Sequence, residues 1–296
     1  MTYSIVARDA QSGRFGVAVQ TCWPFVGAGV PWVESGVGAV ATQSYTEEAH
    51  GPNGLALLRS GVSASDAMAR LLEADPGREV RQVGIVDATG GSASWTGARC
   101  VPAAGHATTD GIAIQANMME RPTVWPAMLA AFQAPAVSFV DRLLAALRAA
   151  EKEGGDIRGR QAAALLVSGT PDEPAWTRQY DIRVDDHPAP LDELERLVRV
   201  HLGYDALARA EELGRSGDLE GAARAGDEAS RLAPGDGQIV VWRAIGTAAG
   251  GMADAGRMLL IEATATNPRW PEFVRRVAES GAQPELEAAA RAIVED

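Results

Sequence analysis

Thr2-Tyr3-Ser4-Ile5-Val6-Ala7-Arg8 decides the fold, because it reads as a β-strand that starts at the chain terminus. Asp9-Ala10-Gln11-Ser12-Gly13 is a turn and Phe15 to Gln20 returns as a second strand, which gives an N-terminal hairpin. The strand opens on a threonine. Removal of Met1, which a small second residue generally permits, leaves one residue with both a hydroxyl nucleophile and a free α-amine. An amine with a reference pKa of about 7.7–8.0 takes the proton from the hydroxyl as it attacks a carbonyl, so no separate histidine is needed.

Outward from the hairpin, the pattern predicts a third strand over 37–43 and two short helices over 53–60 and 64–73. The second helix is capped by Ser63 or Ser65 and closed before Pro76. Strands over 81–87 and 92–96 bracket the turn Ala88-Thr89-Gly90-Gly91, and Gly111 to Asn117 makes another. Pro122 starts a helix to about residue 133. Over 138–152, Phe139, Val140, Leu143, Leu144 and Leu147 recur at helical spacing. Two further strands cover 162–168 and 178–184. Strands, then helices, then strands again imply an α+β sandwich of two sheets with helices layered outside them. The Gly and Ala density of the strands fits close backbone packing.

Asp185-Asp186-His187-Pro188-Ala189-Pro190 interrupts all periodicity, and everything after it is helical. There Ala229 and Pro234 recur 34 residues on as Ala263 and Pro268, and Gly217 recurs as Gly251. That period, with a helix-ending proline, is the tetratricopeptide spacing, although most large signature positions are unmatched; a plain helical bundle is the alternative. The expected organisation is a sandwich domain over 1–188, a linking helix over 189–202 and a small all-α helical-repeat domain over 203–296.

The 296 residues carry a formal charge of −12 and a pI near 4.9, which argues against a nucleic-acid or anionic-membrane partner. The first twenty residues carry Arg8, Asp9 and Arg14, so no signal peptide is expected. No run of eighteen apolar residues exists to span a bilayer, and a cytoplasmic protein is expected. Cys22 and Cys100 read as buried free thiols. Histidines at 50, 106, 187 and 201 are too scattered for a metal signature, and no glycine cluster makes a phosphate loop. Neither metal nor cofactor is expected.

A terminal-threonine enzyme needs oxyanion donors and a pocket. The strand-borne candidates are Gln20, Thr42, Gln43, Gln115 and Asn117, of which Gln115 and Asn117, two apart, share a sheet face. For any one of them, a buried amide that satisfies neighbouring backbone is the competing reading. Asp156 and Arg158 either face each other or grip a carboxylate. Cys100 and His106 form a rival constellation of thiol and imidazole.

Thr2 to Asp9, Gly36 to Gln43, Gly105-His106, Gln115-Ala116-Asn117-Met118 and Gly154 to Gly159 together resemble the bacterial family called domain of unknown function 1028, over about residues 1–200. That family looks like the N-terminal nucleophile (Ntn) hydrolases. The resemblance implies a four-layer αββα sandwich with Thr2 as nucleophile, and it implies no substrate. Compared with proteasome-type threonine peptidases, Gln20 or Thr21 replaces the acid after the second strand, and no lysine lies near the third. Two expectations follow. One is an amidohydrolase on a small amide or peptide-like substrate, with Thr2 and Asn117 catalytic and Gln20, Gln43, His106, Gln115, Asp156 and Arg158 on the substrate side. The other is a catalytically silent scaffold that binds a ligand or protein. In either case the helical tail recruits a protein partner or builds a homodimer.

Overall fold

The structure, a computed structural model, describes residues 2–295. The expected hairpin is present: β1 (Thr2–Arg8) pairs antiparallel with β2 (Phe15–Thr21). A one-turn helix α1 (Val26–Gly29), β3 (Pro31–Glu34) and β4 (Gly38–Ser44) follow. Next come α2 (His50–Arg59) and α3 (Ala64–Ala74), then β5 (Arg81–Asp87), β6 (Ser92–Thr96), β7 (Gly105–Thr109) and β8 (Ile112–Asn117). Helices α4 (Val124–Gln133) and α5 (Phe139–Lys152) precede β9 (Ala162–Ser168) and β10 (Arg178–Val184). The strands make two antiparallel sheets, one ordered β10-β9-β2-β1-β8-β7 and the other β3-β4-β5-β6.

Local chemistry sets the element ends. Ser63 caps α3 by accepting from the Asp66 N–H at 3.1 Å, and Ser138 caps α5 by accepting from the Asp141 N–H at 3.1 Å. Asp87 closes the β5–β6 turn by accepting from the N–H groups of Thr89 and Gly91, both at 2.9 Å. The two strands that sequence pattern does not reveal, β3 and β7, lie at sheet edges. There only one neighbour pairs, so a proline in β3 and the polar run Gly-His-Ala-Thr-Thr in β7 are tolerated.

Helices α4 and α5 pack on the six-stranded sheet, and α2 and α3 on the four-stranded one. Between the sheets, Val6, Val17, Val19, Val33, Ala39, Ala41, Val86 and Ala113 form one apolar cluster. Val40, Val83 and Ile85 point the other way, against Leu55, Leu58, Met68 and Leu71 of the helices, as the two-residue strand period requires. Arg142 lies over the Phe132 ring at 4.1 Å, and Phe132 meets Phe139 edge-on at 6.2 Å, which joins α4 to α5.

The chain divides into two compact units at Glu195/Arg196. Helix α6 (Pro190–Arg215) begins before that division, and the second unit continues with α7 (Leu219–Leu232), α8 (Gly237–Ala249), α9 (Ala253–Thr266), α10 (Trp270–Ala278) and α11 (Pro284–Val294). Helices α7 and α9 start 34 residues apart. Gly217 and Gly251, each just ahead of one, hold left-handed φ of 87° and 86°. Ala229 and Ala263 are both buried. Helix α11 packs against α8 and α9 around Val241, Ile245, Leu260, Val274 and Ile293. Among the described residues no helix is long and apolar enough to cross a membrane.

Candidate active site

Thr2 heads β1 near the middle of the larger sheet, opposite Thr21 of β2 on one side and Asn117 of β8 on the other. Strand period places Thr2, Ser4 and Val6 on the face toward the second sheet and Tyr3 on the face toward the helices. Thr2 is 6% exposed, and its hydroxyl lies 3.2 Å from the Thr21 hydroxyl.

The Thr2 carbonyl accepts two side-chain amides, one from each sheet: Gln43 Nε2 at 3.1 Å and Asn117 Nδ2 at 3.3 Å. Gln82 Oε1 in turn accepts from Gln43 Nε2 at 2.7 Å and from Asn117 Nδ2 at 2.9 Å. The Gln82 amide cannot turn over, because its nitrogen faces three acceptors: the Ala116 carbonyl at 2.9 Å, the Gly105 carbonyl at 3.2 Å and Thr96 Oγ1 at 2.8 Å. One glutamine therefore fixes the orientation of both amides that hold the Thr2 carbonyl. Ser4 extends the network, donating to Gln43 Oε1 at 2.6 Å and accepting from Gln115 Nε2 at 2.8 Å.

The network reaches the surface at His106. Thr96 Oγ1 accepts from Gln82 and shares a hydrogen bond with His106 Nδ1 at 2.9 Å. Burial lowers the His106 pKa and favours the neutral imidazole. A residue with left-handed φ follows both Gln43 and Asn117: Ser44, the last of β4, at 75°, and Met118, just after β8, at 56°.

Other expected site residues lie elsewhere. Gln20 shares the helix-facing side of the sheet with Tyr3 and donates to Glu151 Oε1 at 3.2 Å. Beside it, burial together with the Glu151 and Asp156 carboxylates raises the Tyr3 phenol well above its ordinary pKa. Asp156 accepts from the N–H groups of Cys22 at 3.0 Å and Arg158 at 2.9 Å and pairs with the Arg158 guanidinium at 3.3 Å, so Asp156 and Arg158 face each other. Thr42 donates to the Glu47 carbonyl at 3.0 Å and braces the loop after β4. Cys100 and His106 line one cleft of about 520 Å³ with Trp125. Among the described residues no hydrogen bond joins them, and the Cys100 thiol donates to the Arg81 carbonyl at 3.3 Å. The described residues contain no group of three or more His, Cys, Asp or Glu able to hold a metal.

Sequence reasoning missed Ser4, Gln82 and Thr96, and it named Thr21 only as a position where an acid is replaced. Gln82 had a signal: it lies directly opposite Gln43 in the β4–β5 register. A second signal was Gly84 inside β5, where a Cβ would run into the Gln115 amide.

An α+β unit with two antiparallel sheets and a buried polar cluster at the start of its central strand defines the class of this protein. The chain belongs to the family described as "Family of unknown function (DUF1028)", whose model matches residues 2–194. It is similar to protein SPO2555 from Silicibacter pomeroyi, a member of the same family with a crystal structure. The two share 34% identity and a TM-score of 0.61, over 67% of this chain and 88% of that one. Among curated proteins none matches.

Proposed function

We propose that the first unit is an Ntn-type amidohydrolase, a four-layer αββα sandwich in which Thr2 attacks a small amide or peptide-like substrate. One observation carries the reading: Thr2 heads a central strand with its carbonyl held by amides from both sheets, which fixes its backbone and supports a role as terminal nucleophile. The Thr2 α-amine, free once Met1 is lost, accepts the hydroxyl proton as Oγ1 bonds to the substrate carbonyl carbon. The same amine returns the proton to the departing amine as the C–N bond breaks. Water then cleaves the ester left on Thr2. Thr21, in reach of Thr2 Oγ1, orients the hydroxyl. Asn117 acts first as a clamp, since donation to an oxyanion requires its Nδ2 to release Thr2 or Gln82. The helical unit we read as tetratricopeptide-like, on the 34-residue offset of α7 and α9, and as the site of a protein partner.

A silent binding scaffold is the second reading. What favours it is that the Nδ2 and Nε2 atoms of Asn117 and Gln115 already have acceptors and that Thr2 is closely buried.

Met1 lies outside the described residues, so intact mass and N-terminal sequencing of native protein come first. A chain that begins at Thr2, with amide turnover abolished by Thr2→Ala, is the expected outcome. Alanine is also small enough to permit Met1 removal, so this variant isolates the hydroxyl. Full retention of Met1 sinks the hydrolase and leaves the scaffold.

A further inference from the structure

The second unit contains a groove of about 1280 Å³. A helix about 10 Å across and ten residues long fills roughly 1,200 Å³, so the space matches about three turns of helix. Four large apolar side chains on its walls, Leu219, Met252, Met258 and Ile261, are exposed to solvent.

The glycines of this unit separate what the fold needs from what the groove needs. A Cβ on Gly203 would approach the Ala229 carbonyl at 3.2 Å, and one on Gly256 the Ala244 carbonyl at 2.6 Å, so close helix packing explains both. Gly246, in α8 on the groove wall, has nothing within 4 Å of where its Cβ would lie. Glycine inside a helix is less favourable than alanine, and no packing in the unit offsets that here. A glycine there leaves room for another backbone to approach. Gly214, also in the groove lining, meets only the Ala222 Cβ, at 4.0 Å.

Charge selects the occupant. The arginines of the lining already have partners: Arg215 pairs with Glu212 at 2.9 Å, and Arg243 pairs with Asp227 and donates to Ser230 at 2.8 Å. Exposed Glu211, Glu262 and Glu285 of the lining have no ion-pair partner among the described residues. We propose that this groove docks an amphipathic helix of a partner protein, whose small apolar stripe lies on Gly246 and Gly214 and whose flanking Lys or Arg side chains meet Glu211, Glu262 and Glu285. The proposal is independent of Thr2, so retention of Met1 leaves it standing.

Fluorescence anisotropy of the full chain tests it with two synthetic helices of about a dozen residues. Both carry one Leu and Ala stripe, flanked by Lys in the first and by Glu in the second. The Lys-flanked helix should bind at least tenfold tighter. Gly246→Trp should remove that binding while the circular dichroism stays unchanged. Glu211→Gln, Glu262→Gln and Glu285→Gln together should erase the preference for Lys. Gly246→Ala should raise the melting temperature. Absence of saturable binding, equal binding of the two helices, indifference to Gly246→Trp or a lower melting temperature in Gly246→Ala each overturns the proposal. So does a concentration-dependent dimer that Gly246→Trp abolishes, since a second copy of this chain would then fill the groove.

Discussion

The two units bury opposite kinds of group. Every buried polar or charged side chain among the described residues lies at or before Ser168, in the sandwich. Ser4, Gln43, Gln82, Gln115 and Asn117 have no solvent exposure, and each makes hydrogen bonds. The helical unit buries only apolar and small residues and keeps its ion pairs, such as Arg209–Glu228 and Arg243–Asp227, on the outside. Atoms in the sandwich site are thus placed by directional bonds in a medium of low dielectric, where a missing partner is expensive. The helical unit is shaped by volume, and the feature it offers a partner is space.

The harshest way to break that contrast is Gln82→Leu. The substitution keeps approximate volume but strips partners from the Ala116 and Gly105 carbonyls and from the amides of Gln43 and Asn117. Each buried group left unsatisfied costs about 1–3 kcal/mol, so a loss of at least about 3 kcal/mol is expected in urea unfolding. Thr264→Val removes a hydroxyl bond to the Leu260 carbonyl in the helical unit and should change stability by less than about 1 kcal/mol. Comparable losses from the two would mean that water replaces Gln82 and that the site is not fixed by its side chains.

Within the helical unit the expected effects are smaller and depend on space. Gly256→Ala pushes a methyl to 2.6 Å from the Ala244 carbonyl, and overpacking of that kind costs about 1–3 kcal/mol. If thermal unfolding shows Gly256→Ala to be neutral, α8 and α9 are not held at the close distance that makes shape the governing term.

How far the sequence predicts this contrast depends on the kind of signal. The hairpin, the two helix pairs of the sandwich and the 34-residue offset were readable, because period 2, period 3.6 and repeat spacing are properties of one segment at a time. Gln43 and Asn117 were readable as polar residues on strands, but their common duty at the Thr2 carbonyl was not. It requires β4 of one sheet to face β8 of the other, and no local pattern records which strands face each other. Gln20 shows the same limit in reverse: the residue next to Thr21 looks close to the site, yet strand alternation carries it through to the helix side. Gly246 was unreadable as anything more than a weak helix position, since its meaning lies in what is absent around it.

The smallest expected effect is on pH, and it separates the units without changing any packing. His50 is buried in α2 with Asp75 Oδ2 at 3.5 Å, and neither ring nitrogen has a hydrogen-bond partner. Burial lowers its pKa below the ordinary 6.5. Asp75 and Glu47 oppose that shift and Arg81 adds to it. The unfolded chain therefore binds more protons than the folded one below about pH 6.5, so stability is full above that value and falls as pH drops toward the folded pKa. Asp75 acts in a lower window. Burial alone would raise its pKa, but the hydrogen bonds from Arg81 at 2.9 Å and the Gly77 N–H at 2.7 Å hold it below 3.8. Its contribution is present above 3.8 and is lost as pH falls through the folded value. In urea midpoints followed from pH 7 to pH 3, His50→Gln should flatten the decline that begins near 6.5 and leave the steeper loss below about 4 in place. An unchanged decline in the variant would mean that carboxylates, rather than this imidazole, set the acid sensitivity near pH 6. It would also mean that burying titratable groups does not set the sandwich apart from the helices.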